Sequence, residues 1–413
     1  MKEKLQFALS DFKAAIKLIL QNTKKRKSDP IRVGFIGQYI PAWNKVEGLY
    51  CEMLKDDRFE PMVICLPAGI SDFCLENPDS LENDTYDYYK SNGYNAVNAL
   101  IGKNEWLDLK TLDLDYVFYL RPYNYYMPMQ YSSGVVSKYA KVCVVLYASI
   151  ILEEDVDICL KRDFFRNTYC YFADNDYAAK INRKNFKFSH LLGVRKSVYC
   201  GNPASGYILG ESNTPTDAWD NIGGDFKVMW TPRWTTDLKL GGTNFFQYKD
   251  LFLEFAKENP NASVMIRPHP LAFENFVKSG DMTKQEAEFY KETCRNLPNV
   301  EIDTRKDYIT TMWKSDVLVG DISGILPEYF MMNKPLVFCA SNMILTPTEF
   351  TNRMFEGCYI VNNKEELQEC LLSLMNGVDP LKEKRTQIIK ELFTDKANTC
   401  IGDVLNILAN RIK

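Results

Sequence analysis

The sequence predicts an α/β protein built from two doubly wound, Rossmann-like domains facing a cleft. Three observations carry that expectation. Short apolar runs alternate with helix-like stretches along most of the 413 residues, the pattern of β-α-β units around a parallel sheet. A stretch rich in Gly, Ser, Asn, Thr, Pro and Asp at 206–226 separates two blocks of similar size, and such composition marks a loop. The chain is also too long for one ordinary core, since a domain takes roughly 100–200 residues. The expected organisation is an amphipathic helix and basic linker at 1–29, an amino-terminal domain at 30–205, a linker at 206–226 and a carboxyl-terminal domain at 227–413.

The elements follow in order. Leu5, Ala8, Leu9, Phe12, Ile16 and Ile19 fall on one helical face, and Lys24-Lys25-Arg26-Lys27 comes directly after. Such a helix either lies on an anionic lipid surface or packs on its own domain ahead of a solvated linker. Asp11, Lys13 and Lys17 interrupt it, which excludes a secretory signal core. No window approaches 18 uncharged apolar residues, so no membrane span is expected. Strand-like runs then occur at 31–37, 61–66, 116–120, 142–147, 168–173 and 197–200. Past the linker they recur at 227–230, 262–266, 300–302, 316–319, 335–338 and 359–361, with helical patterns at 243–257, 283–297 and 397–412. Two such domains describe the GT-B architecture of nucleotide-sugar transferases.

Composition narrows the function classes. Hydrophobic content of 46% with 25% charged residues belongs to a folded globular protein. The 50 basic and 54 acidic residues leave a net charge of −4, so no global field recruits nucleic acid. Twelve cysteines without a C-x-x-C pair, many in apolar runs, read as small hydrophobes in a reducing cytosol. With only His190 and His269 as histidines, a zinc site is not expected.

Two loops in the second block suggest chemistry. Arg267-Pro268-His269-Pro270 follows the run at 262–266, so Arg267 and His269 leave the carboxyl end of a strand with prolines holding the loop extended. Asp321-Ile322-Ser323-Gly324 follows the run at 316–319 and opens a helix-like stretch with Pro327 near its start and Ser323 as its expected cap. Ligands of open α/β sheets bind beyond the carboxyl ends of strands, and helix amino termini attract phosphate. The pair therefore reads as two sides of a nucleotide-diphosphate pocket, although each loop alone also reads as a rigid turn or a cap.

Other motifs weigh less. The Gly-x-Gly-x-x-Gly, P-loop and Gly-x-Ser-x-Gly patterns are absent, which argues against a dehydrogenase, a P-loop kinase and an α/β-hydrolase. Of three D-x-D triplets, only Asp174-Asn175-Asp176 follows a strand-like run where a metal pair would sit, and chance accounts for such a triplet in an acidic chain. The sequons at Asn83 and Asn261 matter only in a secreted chain. Arg121-Pro122-Tyr123-Asn124-Tyr125-Tyr126 places aromatics at a strand end, suited either to stacking on sugar rings or to packing a domain interface.

These landmarks resemble a family. Trp230-Thr231-Pro232-Arg233-Trp234-Thr235, the Arg267 loop, and the 315–324 segment followed by Asn333-Lys334-Pro335 look like successive motifs of the CDP-glycerol glycerophosphotransferase, or teichoic acid polymerase-like, family. Arg121-Pro122-Tyr123 and Tyr199-Cys200-Gly201-Asn202-Pro203 resemble its amino-terminal strand-end loops, and the likeness covers roughly 115–375. It implies a bacterial, metal-independent GT-B enzyme without a cofactor. Such an enzyme moves glycerol phosphate from CDP-glycerol to a hydroxyl of a glycan or lipid-linked glycan, in teichoic acid or capsule assembly, at the cytoplasmic membrane face. The implied roles are Arg233, Arg267, Asp321, Ser323 and Gly324 on the donor, Glu328 on the ribose, and His269 on the phosphate or as the acid for the leaving oxygen. Arg121, Tyr123, Tyr147 and Ser149 are the acceptor-side candidates. Two departures stand out. Where family members carry Trp-His-Gly with a basic histidine, this chain reads Val145-Leu146-Tyr147-Ala148-Ser149, and the usual Asp-Tyr-Ser-Ser is Asp321-Ile322-Ser323-Gly324. The nearest replacements for the base are Tyr123, Tyr147, Ser149 and Glu153. A CMP-sialate or other nucleotide-sugar transferase and a non-catalytic nucleotide-binding scaffold remain the alternatives.

Overall fold

The computed structural model describes residues 2–22, 30–68, 82–160, 163–210, 218–305, 307–394 and 399–410. The basic run at 24–27, Cys74 and linker positions 211–217 lie outside them. The chain forms two compact units. The first comprises Met1–Ile150, Asp155–Tyr207 and Asp395–Lys413, and the second Ile151–Glu154 and Ile208–Thr394.

The first unit is built on a parallel sheet of β1 (Ile31–Gly37), β2 (Phe59–Cys65), β3 (Ala96–Asn98), β6 (Tyr116–Tyr119), β7 (Lys141–Val145), β8 (Thr168–Ala173) and β9 (Lys196–Tyr199), in the order β3-β2-β1-β6-β7-β8-β9. A small hairpin of β4 (Leu100–Gly102) and β5 (Glu105–Trp106) lies outside it. Both faces of the sheet are covered, which is why its strands read as continuous apolar runs instead of alternating ones. Val117 and Tyr119 enter one buried cluster, while Tyr116 and Phe118 enter the other.

The closing helix departs from expectation, and the first helix packs on its own unit. The closing helix, Cys400–Ala409, falls in the stretch expected to belong to the carboxyl-terminal domain, yet it packs with the first unit. Cys400, Val404 and Leu408 join the cluster of Val33 and Phe35, and Tyr116 Oη donates to the Leu408 carbonyl at 3.1 Å. The first helix, Lys2–Asn22, packs through Phe7, Ala15 and Leu18. Asp11 lies on the same side, where it accepts from the Phe188 and Ser189 N–H groups at 2.9 and 3.3 Å and so caps the short helix Lys187–Leu191. Its other apolar stripe, Leu9, Phe12, Ile16, Ile19 and Leu20, faces outward. No helix among the described residues is long and apolar enough to cross a membrane.

The second unit carries a six-stranded parallel sheet of β10 (Phe226–Thr231), β11 (Ala262–Ile266), β12 (Val300–Ile302), β13 (Val317–Gly320), β14 (Leu336–Cys339) and β15 (Tyr359–Val361), in the order β12-β11-β10-β13-β14-β15. Trp230 is fully buried against Phe252 and Phe245, at ring distances of 4.3 and 5.6 Å. It joins the central strand to the helix Phe245–Glu258. Trp230→Ala should cost about 3–5 kcal/mol of unfolding free energy. Urea denaturation checks this, and a loss below ~1 kcal/mol would remove Trp230 from that role.

Candidate functional site

In the second sheet the chain runs outward from β10 to β12 and, on the other side, from β13 to β15. The direction of winding therefore reverses between β10 and β13, and ligands of open α/β sheets bind at the carboxyl side of such a reversal. Gly320 ends β13 there because a Cβ on it would stand 2.5 Å from Thr231 Oγ1 of β10. The loops after β10, β11 and β13 contain Arg233, the Arg267–His269 pair and Asp321–Gly324.

Asp321 organises this end. It is 2% exposed. Oδ2 accepts from the Arg233 N–H at 2.8 Å and from Thr243 Oγ1 at 2.9 Å, and Oδ1 accepts from Asn244 Nδ2 at 2.8 Å. Burial pushes its carboxyl up, against the pull of these donors. The Arg233 guanidinium donates to the Leu240 carbonyl at 2.8 Å and to that of Ile322. Gly241, at φ +100°, gives it room, since a Cβ there would meet Arg233 Nε at 2.7 Å.

Arg267 is likewise held within the protein. Nη1 donates to Asp303 Oδ2 at 2.6 Å and Nη2 to the Arg305 carbonyl at 2.7 Å. Burial works to raise the Asp303 carboxyl, but the Arg267 charge and the Arg305 N–H bring it below its ordinary value. Glu328 is 3% exposed and accepts from Tyr308 Oη at 2.7 Å, so it turns inward and not toward a ribose. Ser323 does not cap the following helix. Gly324 holds the N-cap position without a side-chain bond, and the helix Ile325–Met331 spans seven residues, too few peptide dipoles for a strong terminus. Ser323 Oγ is buried and has no hydrogen-bond partner among the described residues.

His269 keeps an exposed edge, and its Nδ1 accepts from the Leu271 N–H at 3.2 Å. Lost hydration first, and the Arg233 guanidinium second, hold its imidazole down to about 4. The ring is neutral at pH 7, and with Nδ1 accepting, Nε2 carries the hydrogen. The site thus combines a neutral Nε2–H donor and a buried hydroxyl with two guanidinium groups that also bond protein acceptors.

In the first unit the winding reverses between β1 and β6. Arg121 lies over the Tyr126 and Tyr39 rings at 4.4 and 5.5 Å. The cavity beside it, lined in part by Ile36, Gln38, Tyr119 and Met127, measures about 10 Å³, room for no more than one water. Tyr123 Oη is 3.4 Å from Cys159 Sγ and also bonds Tyr147. Burial pushes both phenols up, so neither is a base at neutral pH. Ser149 Oγ donates to Asp174. Glu153 falls in the second unit, where its N–H donates to the Thr346 carbonyl at 2.8 Å. Asp176 turns away from Asp174 to pair with Lys180 and Arg183 at 2.5 and 3.3 Å, so this triplet does not converge on a cation. No group of three His, Cys, Asp or Glu among the described residues could hold a metal ion.

Sequence reasoning did not find Asp303, Thr243, Asn244 or Asp174 as members of these clusters. Asp303 and Asp174 do carry a readable signal, each standing immediately beyond a strand.

No protein-family model and no curated protein sequence matches this chain. Solved structures do. The S. aureus MnaA–UDP complex superposes with a TM-score of 0.59 at 14% identity, over 92% of this chain and 96% of that one. UDP-GlcNAc 2-epimerase from Neisseria meningitidis, bound to UDP-GlcNAc, gives 0.59 at 13%, over 92% and 100%. The wall teichoic acid polymerase TagF, soaked with CDPG, gives 0.55 at 13%, over 100% and 98%. At such identities the likeness shows the fold. The chain has the GT-B class of α/β fold, with two doubly wound parallel sheets.

Two outcomes follow from the site. Arg267→Ala leaves Asp303 buried with only part of its compensation, so stability should fall by about 3 kcal/mol. Chemical denaturation measures it, and an unchanged midpoint would show that the pair is no strut. His190 bonds the Phe186 carbonyl and Ser197 Oγ at 2.8 and 2.9 Å, and burial holds its imidazole down to about 4. An unfolded histidine ionises near 6.5. The unfolded chain therefore takes up protons first, and the two histidines' contribution is complete above pH ~6.5 and lost as pH falls toward 4. NMR should show both rings neutral at pH 6, whereas a midpoint near 6.5 for either ring would contradict the geometry around it.

Proposed function

We propose that this chain is a GT-B transferase that moves glycerol phosphate, or a related alditol phosphate, from a CDP-linked donor to a hydroxyl of a cell-surface glycan precursor. The observation that carries the reading is the end of the second sheet, where Ser323 Oγ is buried with no hydrogen-bond partner among the described residues and His269 is a neutral ring whose Nδ1 accepts from the Leu271 N–H, which leaves Nε2–H as its donor. Both groups suit an oxygen-rich anion. In support, the strand-end loops resemble those of the glycerophosphotransferase family, and TagF with CDPG shares the fold.

The chemistry asks mainly for positioning and charge neutralisation. Ser323 Oγ, with the N–H groups of Ser323 and Gly324, would hold the diphosphate. His269 would donate to it through Nε2. With Nδ1 accepting from the Leu271 N–H, the neutral ring presents Nε2–H as a donor, which suits a hydrogen bond to a phosphate oxygen. Arg233 and Arg267 shape the two loops and add positive potential at the site. Asp321 acts through Arg233, Thr243 and Asn244. No metal or cofactor enters this account.

The outward apolar stripe of the first helix, with Leu9 53% and Leu20 63% exposed, supports peripheral contact with an anionic membrane surface. A nucleotide-sugar donor is the second reading, favoured by the UDP-bound neighbours.

Calorimetry with CDP-glycerol, CDP-ribitol, CMP-sialate and UDP-GlcNAc separates the readings. CDP-glycerol should bind most tightly, and Ser323→Ala and His269→Ala should each weaken it by about 1.5–3 kcal/mol, the worth of a hydrogen bond to a charged group. Preference for UDP-GlcNAc would move the chain to the second reading, and mutants that bind like the parent would remove these residues from the site.

A further inference from the structure

The carboxyl ends of β7 and β8 bring together a hydroxyl and a carboxylate that the account above leaves unused. The two strands are parallel neighbours, so the loop carrying Ser149 and the residue after Ala173 come side by side. Ser149 Oγ donates to Asp174 Oδ2. Asp174 Oδ1 accepts from Asn175 Nδ2 at 3.1 Å. Asn175 is 1% exposed and is itself fixed, because its Oδ1 accepts from the Ala178 N–H at 2.8 Å as the cap of the helix Asp176–Asn185. The carboxylate is therefore oriented by two side chains, and Asp174 and Ser149 are each half-buried as residues.

The surroundings suit a group that gains and loses a proton. Burial raises the Asp174 carboxyl above 3.8, opposed by the bonds from Ser149 and Asn175 and by the nearby Lys45. Lys45 comes from the helix Asn44–Leu54 and is 3% exposed. Tyr171 of β8 and Cys200 beyond β9 are the other ionisable groups that sense Asp174. Tyr123 and Tyr147, protonated at neutral pH, cannot serve as the acceptor of a proton here.

We propose that Ser149 and Asp174 form a proton relay that activates a polyol or glycan hydroxyl bound at the ends of β7 and β8. The proposal rests on the transferase reading and supplies it with a base. Ser149 touches the incoming hydroxyl. Its Oγ accepts that proton as its own passes to Asp174 Oδ2. The substrate oxygen bonds to the phosphorus of the alditol phosphate, the P–O bond to CMP breaks, and CMP leaves with the electron pair. Asp174 then releases the proton to solvent, and Ser149 ends as it began.

Asp174→Asn keeps the shape and an acceptor for Ser149 but cannot take the proton. Its kcat should fall about 10²–10⁴-fold, with the donor KM and thermal midpoint little changed. Wild-type kcat should decline as pH falls through the Asp174 pKa, and this acid limb should vanish in Asp174→Asn while Lys45, Tyr171 and Cys200 remain in place. Asp174→Glu and Ser149→Thr should each regain part of the rate, and Ser149→Ala should resemble Asp174→Asn. Wild-type kcat or an intact acid limb in Asp174→Asn would overturn the relay. If wild type does not turn over CDP-glycerol, the donor reading fails, and the same variants are compared by nucleotide release from UDP-GlcNAc and CMP-sialate. Wild-type turnover of none of the three would overturn both proposals.

Discussion

Asp321 is the constraint on which the candidate donor site depends. A carboxylate left bare in the interior costs several kcal/mol or gives up its charge, and here the donors that satisfy it come from three residues: the Arg233 N–H, Thr243 Oγ1, and the backbone and side chain of Asn244. Satisfying one side chain thus ties the loop after β10 and the start of the helix Phe245–Glu258 to the end of β13. The Arg233 guanidinium repeats the tie from the other side, through the carbonyls of Leu240 and Ile322. Arg267 is held to the loop after β12 by Asp303 and Arg305. Ser323 Oγ at the same end has no hydrogen-bond partner among the described residues.

That division changes the meaning of the arginines. A guanidinium tied to protein acceptors holds its loops in place, and the N–H groups it does not use for that remain as charged donors. The first unit follows the same physics with different residues. Arg121 stacks on aromatic rings, Tyr123 and Tyr147 satisfy each other, and the Ser149–Asp174 pair is left partly open at a strand end.

The fold was largely legible because buried parallel strands are nearly uniform in apolarity. Runs such as 168–173 and 262–266 coincide with β8 and β11. β3 was not legible, since Ala96–Asn98 is three residues that follow one asparagine and end on another, and it is a strand only through its pairing with Val63, Ile64 and Cys65. An amphipathic pattern also shows that a helix buries a face without naming the partner, so Cys400–Ala409 was assigned to the wrong neighbour. In the first helix two apolar stripes compete, and the buried one is fixed by Asp11 capping a helix 177 residues away. Strand-end positions made the candidate loops visible, but roles depend on partners distant in sequence. Asp303 lies 36 residues from Arg267, and Asn244 lies 77 from Asp321.

The central claim is that the second sheet presents its open donors, and not its arginines, to a nucleotide diphosphate. A crystal structure of the chain with CDP tests it most directly. The account predicts β-phosphate oxygens within hydrogen-bond distance of Ser323 Oγ and His269 Nε2, with the Arg267–Asp303 pair intact. A diphosphate seated away from Ser323, or held by an Arg267 released from Asp303, would contradict it.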